Sequence, residues 1–499
     1  MANLKSLVKE TAIYGMSSIV GRFLNYLLVP LYTAKISASS GGYGDITNMY
    51  ANVGLLLVLL TFGMETAFFR FANKDDENPK AVYSTTVVAV GLVSLAFVGL
   101  VLAFLPNIAH IMHYDGHPAY LSVMAIVVAQ DAIQSIPFAY LRYQKRPLRF
   151  ATLKITFIVL NIALNLLYFV GLPAIYETAP HLVESIYDPN VSDADKAGYA
   201  FYINLACTSF ITLLFFPEWR RVALKTVNWK LFKRMLSYGW PILVLGIAGV
   251  INQHGDKIMF PYIAQGGDAK EQLAIYGAAV KIAMIMAMIT QAFRYAYEPF
   301  VFGKSRDKDN KETYSKAMKY FVIFTLLAFL AVVAWLDVLK YIIGHDYWDG
   351  LKVVPIVMAA EIMMGVYFNL SFWYKLSDRT IWGAILSGIG CAVLIAINII
   401  FVPQYGYIAC AWGGFAGYGT AMVLSYFIGQ HYYPINYPIG QIAFYTILAA
   451  ALYAAMLWKP FGDDPLRTLA FNTLLVVIFT ATIYLHEFHR RKKAVSNEQ

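Results

Sequence analysis

Three observations on the sequence predict an all-α polytopic membrane protein. Of its 499 residues, 59% are hydrophobic and only 14% are charged, whereas soluble domains carry about 25% charged residues. The apolar residues recur along the whole chain in runs of about 20 residues or more, and a helix of that length crosses a bilayer core of about 30 Å. The alternating segments of about ten residues that are typical of a membrane β-barrel do not occur.

These runs predict about 14 transmembrane helices. The first run holds a central arginine and is not followed by a small-residue cleavage site, so we expect a retained span rather than a signal peptide. The predicted spans lie near residues 11–35, 45–70, 81–105, 118–141, 151–173, 198–217, 236–263, 273–302, 316–339, 351–374, 381–402, 406–429, 438–458 and 466–487.

The loops between the predicted spans alternate in charge, and this pattern predicts their orientation. Lys and Arg concentrate in "RYQKRPLR" (142–149), "RRVALKTVNWKLFKR" (220–234), "KSRDKDNKETYSK" (304–316) and the tail. The other set of loops includes the acidic "ETAPHLVESIYDPNVSDADK" (177–196). The positive-inside rule then predicts that both termini are cytoplasmic. The excess of basic residues is explained by topology, so we expect no nucleic-acid partner.

A shift of 233 residues aligns several features of the chain with themselves. It predicts two six-helix lobes related by a parallel internal repeat, an N-lobe (1–217) and a C-lobe (218–430), followed by two appended spans and a basic tail (431–499). Such a bundle is typical of transporters that work by alternating access, although a duplicated structural protein is the alternative. The matched pairs are Tyr43-Gly44 with Tyr276-Gly277, Glu65 with Glu298, Arg142 with Lys375, and Asn165 with Asn398.

Cations at membrane depth are the candidates for binding cargo. A central arginine costs about 2.5–3.5 kcal/mol on insertion scales, so such groups are expected to face a cavity or a partner. Arg and Lys both bind phosphate oxygens, which favours an anionic cargo such as a diphosphate. Asn25 lies three residues after Arg22 and shares its helix face. The candidate substrate-binding residues are Arg22, Asn25, Lys257, Lys281 and Arg294.

Five carboxylates are also predicted inside spans, and their roles are left open. Glu298 could pair with Arg294 at i,i+4 spacing, and Asp256 could pair with Lys281. Asp131 and Glu361, in equivalent spans of the two copies, could each bind a coupling proton or Na⁺, or form a structural hydrogen bond. The duplicated Glu65 favours a contact at a helix end. Candidates for ion coupling or for the cavity wall are Asp131, Asp256, Glu298 and Glu361.

No set of residues predicts catalysis, so we do not expect an enzyme. His110, His113 and His117 have a spacing that fits no trusted metal motif, and no Walker A sequence occurs. The three cysteines lie far apart in apolar runs and predict no disulfide framework. We therefore expect neither a metal nor a cofactor.

Several stretches resemble a known family. "YGMSSIVGRFLNYLLVPLYT", "YGDITNMYANVGLLLVLLTFGMETAFFRFA", "QHGDKIMFPYIAQ" and "INIIFVPQYGYIACAW" are similar to polysaccharide-exporting flippases of the multidrug/oligosaccharidyl-lipid/polysaccharide (MOP) exporter superfamily. The resemblance implies a two-lobed bundle in the bacterial inner membrane. Its implied cargo is an undecaprenyl-diphosphate-linked oligosaccharide, moved to the periplasmic leaflet for surface polysaccharide or lipopolysaccharide biosynthesis. Implied partners are membrane lipids, a polysaccharide polymerase and glycosyltransferases.

The resemblance also implies a cationic central cavity that holds the diphosphate, and Arg22, Lys257, Lys281 and Arg294 stand where such residues are expected. Two rival functions remain. A proton- or Na⁺-coupled multidrug or cation antiporter would share the fold but favour acidic cavity residues. A membrane-embedded glycosyltransferase or polymerase would carry a large soluble loop with catalytic acids, and no such loop is predicted here.

Overall fold

A computed structural model describes residues 26–497 except 305–309, 378, 459, 461 and 463; it also leaves undescribed the side chains of 295, 296, 298–300, 302–304, 310 and 488–497. Helices make up most of this part of the chain. The first ten are α1 (Leu28–Lys35), α2 (Gly42–Thr61), α3 (Met64–Ala72), α4 (Pro79–Ala103), α5 (Leu105–Ile111), α6 (Pro118–Tyr143), α7 (Pro147–Leu166), α8 (Leu172–Thr178), α9 (Lys196–Leu214) and α10 (Phe216–Trp219). The remainder are α11 (Trp229–Ile263), α12 (Ala269–Lys304), α13 (Asn310–Ala334), α14 (Leu336–Leu339), α15 (Val354–Leu370), α16 (Phe372–Leu376), α17 (Ile381–Tyr405), α18 (Tyr407–Tyr432), α19 (Ile439–Leu457) and α20 (Pro465–Asn497).

The described residues contain 13 helical segments that are long and apolar enough to cross a membrane. They coincide one by one with predicted spans 2 to 14, so the prediction of an all-α polytopic fold is confirmed. The first predicted span lies mostly outside the described residues, and only its end is seen, as α1.

Proline and asparagine fix where several helices begin. Pro79, Pro118 and Pro147 occupy the first helical position of α4, α6 and α7, where a missing N–H leaves no hydrogen bond unmade. Before α11, the side chain of Asn228 accepts hydrogen bonds from the backbone N–H groups of residues 230 and 231 at 2.9 and 3.2 Å. These local signals explain why α6 begins at the predicted residue 118, and why α11 begins at Trp229, before the apolar run that was predicted from 236.

Two spans are interrupted inside their apolar runs. Phe62 and Gly63 adopt left-handed conformations, with φ of 35° and 75°, and separate α2 from α3. At Gly63 a Cβ would lie 2.6 Å from the carbonyl oxygen of Gly239 in α11, so both the backbone angle and the close approach require glycine. The span formed by α7 and α8 contains a π-helical turn, Leu167–Gly171. Such interruptions give helices a place to bend.

Contacts between Cα atoms divide the chain into two compact units. The first runs to Gly277 and includes Val402–Tyr407. Within it α6 packs against α2, α4 and α9, and α11 packs against α2 and α3. Its core includes Phe68, Tyr83, Ile136 and Met235. Because α11 packs in this unit, the lobe boundary predicted at 217 does not coincide with the contact boundary, and the lobes of the repeat stay a prediction.

The second unit contains Ala278–Phe401 and the chain from Ile408 onward. Its helix α13 packs against α15 and against the two appended spans, α19 and α20. Lys319 on α13 is buried and donates a 2.8 Å hydrogen bond to Glu487 on α20, and Tyr445 on α19 donates to the same carboxylate at 3.2 Å. This ion pair fixes the appended spans to the second unit.

Two of the duplicated features have a visible structural role. A Cβ at Gly44 would overlap the backbone of Lys270, and a Cβ at Gly277 would overlap the side chain of Thr47. Both duplicated glycines therefore permit the close crossing of α2 and the first turns of α12. In the first copy, Arg142 donates a hydrogen bond to Glu65, which confirms the predicted helix-end contact of Glu65.

Candidate functional site

A chain of polar side chains runs through the first unit. It begins at Asp45 on α2, which is buried and forms a 2.9 Å ion pair with Lys270. The Lys270 ammonium lies 4.6 Å from the ring centroid of Tyr114. Tyr114 donates to the side-chain oxygen of Asn48 at 3.2 Å, and Asn48 donates to the backbone carbonyl of Lys257 at 2.9 Å. Three helices and the loop before α6 thus share one hydrogen-bonded network.

Tyr114 stays a hydrogen-bond donor in this network. It lies in the loop between α5 and α6, outside the spans, yet it is buried. Burial raises the pKa of Tyr114 well above its usual value, and the Asp45 carboxylate raises it further. The phenol therefore remains protonated across the physiological range and keeps its bond to Asn48.

The network ends at Asp256 on α11. The Lys257 ammonium donates to both oxygens of the Asp256 carboxylate, at 3.0 and 2.9 Å, and Tyr276 on α12 donates to Asp256 at 2.6 Å. Asp256 is thus paired with Lys257, its neighbour in sequence, and the pairing of Asp256 with Lys281 stays a prediction. Lys257, predicted to bind cargo, is thereby neutralised locally.

Asp131 in the first unit also has a basic neighbour. It lies half-buried on α6 and interacts electrostatically with Lys154 on α7. The Lys154 ammonium lies 4.1 Å from the ring centroid of Phe138. Lys154 was not among the predicted site residues because it lies near the start of a predicted span, next to the basic loop 142–149.

The second unit holds a narrow pocket with a cavity volume of about 10 Å³, room for about one water molecule. One face of α12 supplies side chains at helical spacing, and they include Thr290 and Arg294. Asn369 at the end of α15 and Lys375 on α16 complete the polar lining. Aromatic rings form the rest of the wall, namely Phe293, Tyr297, Phe321, Phe368 and Phe372. None of the described residues that line the pocket is acidic.

Both cations of the pocket lie over aromatic rings. The guanidinium of Arg294 is 4.5 Å from the ring centroid of Phe368, and the Lys375 ammonium is 5.0 Å from that of Phe372. Arg294 is exposed and Lys375 is half-buried. Cation–π contacts at this range hold the basic groups at the wall without removing their charge.

The remaining predicted site residues divide into two groups. Lys281 and Glu361 are half-buried on α12 and α15 of the second unit, and their roles stay predictions. Arg22 and Asn25 lie outside the described residues, as does the side chain of Glu298. Its i,i+4 pairing with Arg294 therefore stays an open alternative.

Comparisons with known proteins bear on the fold. No protein-family model matches the chain, and no curated protein matches it. Among solved structures, the lipid II flippase MurJ in an inward closed conformation is 16% identical with a TM-score of 0.70; the match covers 95% of this chain and 99% of that one. An inward-facing multidrug resistance MATE family transporter of the MOP superfamily is 15% identical with a TM-score of 0.61, over 82% of this chain and 93% of that one. The MATE multidrug transporter DinF-BH is 16% identical with a TM-score of 0.55, over 84% and 94%.

The chain has the MOP fold. The fold expected from the family resemblance is thus confirmed. Because this fold is shared by a lipid flippase and by multidrug transporters, the chemistry of the site has to separate the cargo classes.

Several residues of these sites carry no clear signal in the sequence. Asp45 and Lys270 lie at the ends of predicted spans, where charges are ordinary, and Tyr114 lies in a loop. Thr290 and Asn369 carry no charge and stand among apolar residues. A partial signal existed for Lys375, because the repeat aligns it with Arg142.

Proposed function

We propose that this protein is a flippase that moves a polyprenyl-diphosphate-linked oligosaccharide across the bacterial inner membrane by alternating access. Both termini would be cytoplasmic, as the charge pattern predicts. The observation that carries the proposal is the pocket of the second unit. Arg294 and Lys375 line it together, and none of its described lining residues is acidic.

The chemistry of these two cations suits a phosphate group. Arginine presents a planar fork of donors that matches two phosphate oxygens, and lysine contributes a compact point charge. Within a membrane-embedded bundle such groups are costly, so they are usually retained for function. A pocket that binds a cationic drug would instead need an acidic group for the drug's charge.

The fold supports a transport mechanism of the alternating-access type. MurJ, a lipid II flippase by its description, matches nearly the whole chain. The breaks at Phe62 and Gly63 and the prolines inside α11, Pro241 and Pro261, supply positions at which spans can bend between two states. Transport by such a bundle needs no covalent chemistry from the chain.

A second candidate is a proton- or Na⁺-coupled multidrug or cation antiporter. The likeness to MATE multidrug transporters favours it, and so do the half-buried carboxylates of Asp131 and Glu361. The two candidates differ in the charge of the cargo, because an antiporter of cations would bind cationic dyes in preference to lipid diphosphates.

The proposal is tested in proteoliposomes that contain a lipid-linked oligosaccharide with a labelled sugar. Flipping is measured as the fraction of label that a membrane-impermeant glycosidase can reach. We expect wild-type protein to flip this lipid and Arg294→Ala to slow flipping by about 10- to 100-fold, since hydrogen bonds to charged groups contribute about 1.5–3 kcal/mol. The matched control is Arg467→Ala, an exposed arginine paired with Asp464 at 3.2 Å.

The proposal fails if wild-type protein leaves lipid-linked oligosaccharide in place but exports a cationic dye. It also fails if Arg294→Ala and Arg467→Ala flip equally fast.

Arg22 offers a separate test from the sequence. We expect Arg22→Ala to abolish complementation of a flippase-deficient strain without loss of expression, because a central arginine suits a lipid diphosphate. Full complementation by this variant would remove Arg22 from the cargo site, without affecting the evidence from the pocket.

A further inference from the structure

A basic cleft of the first unit lies between α4, α6 and the loop that joins α10 to α11. Its cavity volume is about 580 Å³, within the range of about 300–1,000 Å³ that is usual for ligand pockets. Acidic residues are absent from the part of its wall that the structure describes. The charged and aromatic side chains of the lining are Lys80, Tyr83, Tyr140, Tyr143, Arg220 and Arg221.

Buried hydroxyls on α4 hold the loop that carries the two arginines. Ser84 and Thr85 are fully buried. The Ser84 hydroxyl accepts a hydrogen bond from the backbone N–H of Ala223 at 2.9 Å, and the Thr85 hydroxyl accepts one from that of Asn228 at 3.0 Å. The cleft therefore has a fixed wall, although one side of it is a loop.

Stacked tyrosine rings form another part of the wall. The ring centroids of Tyr83 and Tyr140 are 4.2 Å apart, and those of Tyr140 and Tyr143 are 6.4 Å apart. Arg221 is half-buried and donates a hydrogen bond to the Tyr140 hydroxyl at 3.3 Å. Because that partner is neutral, Arg221 is positioned without losing its charge.

The cations of the cleft are not neutralised by the residues that the structure describes. None of the three forms an ion pair there. The acidic residues nearest to them in sequence, Glu77 and Glu218, pair instead with Arg234 at 2.5 Å and with Arg149 at 2.7 Å. The three basic groups are thus available to an anionic ligand.

Exposed apolar side chains border the cleft. The Arg220 guanidinium lies 4.9 Å from the ring centroid of Phe216, and Phe216 is 58% exposed. Leu224, in the same loop as Arg220, is 73% exposed. The charge pattern of the loops predicts that this end of the spans is cytoplasmic. Basic and apolar groups exposed side by side at the end of a span suit a membrane interface, where they meet lipid head groups and acyl chains.

We propose that this cleft binds the head group of an anionic phospholipid from the cytoplasmic leaflet. The phosphate lies at Lys80 and Arg220, which supply a point charge and a fork of donors. A head-group hydroxyl, such as that of phosphatidylglycerol, bonds to the phenol of Tyr143, and an acyl chain lies along Phe216. Basic pockets on the cytoplasmic side of transmembrane helices are suited to such lipids.

The chemistry of the cleft disfavours two other ligands. Phosphatidylethanolamine carries an ammonium group, which would lie among three cations. A free phosphate would leave the exposed apolar border unused. The site does not depend on the proposed function, because its ligand is a lipid of the surrounding membrane rather than the cargo.

The test is native mass spectrometry of the detergent-purified full-length protein with equal amounts of dioleoyl phosphatidylglycerol and dioleoyl phosphatidylethanolamine. Their acyl chains are identical, so only the head groups compete. We expect about tenfold more bound phosphatidylglycerol, the effect of one well-made hydrogen bond to a charged group. Equal binding of the two lipids overturns the proposal.

Two competitors distinguish the sources of the phosphate group. An excess of sn-glycerol 1-phosphate should leave phosphatidylglycerol bound, and its displacement would make the cleft a site for free phosphate esters. Undecaprenyl diphosphate should displace it no better than further phosphatidylglycerol does. Preferential displacement by the diphosphate would make the cleft a cargo site. Either displacement overturns the proposal.

Variants assign the preference to the cleft. Arg220→Gln combined with Arg221→Gln should lower the preference for phosphatidylglycerol about tenfold, almost to that of a neutral surface. The matched control combines Lys225→Gln with Lys230→Gln, because both lysines are exposed in the same stretch of chain, outside the cleft, and their loss removes the same charge. Equal losses in the two double variants would reduce the preference to general attraction by a basic surface and overturn the assignment. If the cleft double variant does not fold, the exposed Arg220→Gln compared with Lys225→Gln decides the matter.

Discussion

The polar chain of the first unit and the pocket of the second unit contain similar residue types but differ in whether their polar groups are paired. In the polar chain each charge has a near partner, Asp45 with Lys270 and Asp256 with Lys257. In the pocket two buried polar atoms, on Thr290 and Asn369, lack a partner among the described residues. Saturated networks stabilise one arrangement of helices, whereas unsatisfied buried polar groups cost stability.

The largest effect is expected from breaking the polar chain. Lys257→Met leaves the Asp256 carboxylate buried without its ammonium, and removing one partner of a buried pair costs about 3–5 kcal/mol. We expect a large fall in the free energy of unfolding, measured in detergent. The double variant Asp256→Asn with Lys257→Met should recover much of it, because no unpaired charge then remains.

The control for this prediction is Lys352→Met, which removes an exposed ion pair with Asp349 and should cost no more than about 1 kcal/mol. If Lys257→Met costs no more than this control, the polar chain does not stabilise the first unit.

In the pocket, by contrast, a substitution is expected to raise the free energy of unfolding. Thr290→Val removes a buried hydroxyl that has no partner in the described part of the chain, so the free energy of unfolding should rise by about 1 kcal/mol. Thr325→Val removes a hydroxyl that is already bonded to the carbonyl of Phe321 and should bring no such gain. Thermal unfolding of the ligand-free variants measures the difference. A loss of stability in Thr290→Val would mean that its hydroxyl is satisfied within the protein.

Each unit holds one half-buried carboxylate that is a candidate for ion coupling. If Asp131 in the first unit or Glu361 in the second carries the coupling ion, Asp131→Asn or Glu361→Gln should lower gradient-driven flipping to the rate without a gradient. Proteoliposomes with and without an imposed proton or Na⁺ gradient measure this. Unchanged ion dependence in both variants would leave the carboxylates with a structural role only.

The smallest effect concerns a loop of the first unit. Asp193 accepts from Lys196 at 2.6 Å and from the backbone N–H of Ser37 at 3.2 Å. The hydrogen bond from Lys196 holds the pKa of Asp193 below its usual value, about 3.9 in unfolded chains. The contact therefore stabilises the loop at pH values above about 3.9. This stabilisation is lost as the pH falls through the lowered pKa of Asp193. Protection of the Ser37 amide from hydrogen exchange should fall a few-fold in acid, after correction for the intrinsic rate.

Asp193→Asn should remove this pH dependence of Ser37. The nearby Gly42 amide donates to the hydroxyl of Ser40 at 3.3 Å and serves as the control, since that acceptor does not titrate. A parallel acid response of both amides would indicate general loosening of the loop.

The fold was predictable to a larger extent than the site. Span positions follow from apolar run length, and some span ends follow from local residues such as Pro118, which begins α6. The site was predicted from charge alone, which found Arg294 but not Thr290 or Asn369. Neutral polar residues in apolar runs carry no sequence signal that separates an unsatisfied atom from one bonded to its own helix.

That the chain is a multi-pass helical membrane protein follows from its amino-acid sequence, because bilayer thickness fixes the length of apolar run that a span needs. The sequence also favoured a helix-end contact for Glu65, and the structure supplies its partner, Arg142. The tertiary structure decided which charges are neutralised and which polar atoms are left over. Asp256 and Lys257 are adjacent residues that do not share a helix face, yet the long lysine side chain folds back on the carboxylate. The pocket depends on α12, α13, α15 and α16 meeting, and only packing brings residues so distant in sequence together.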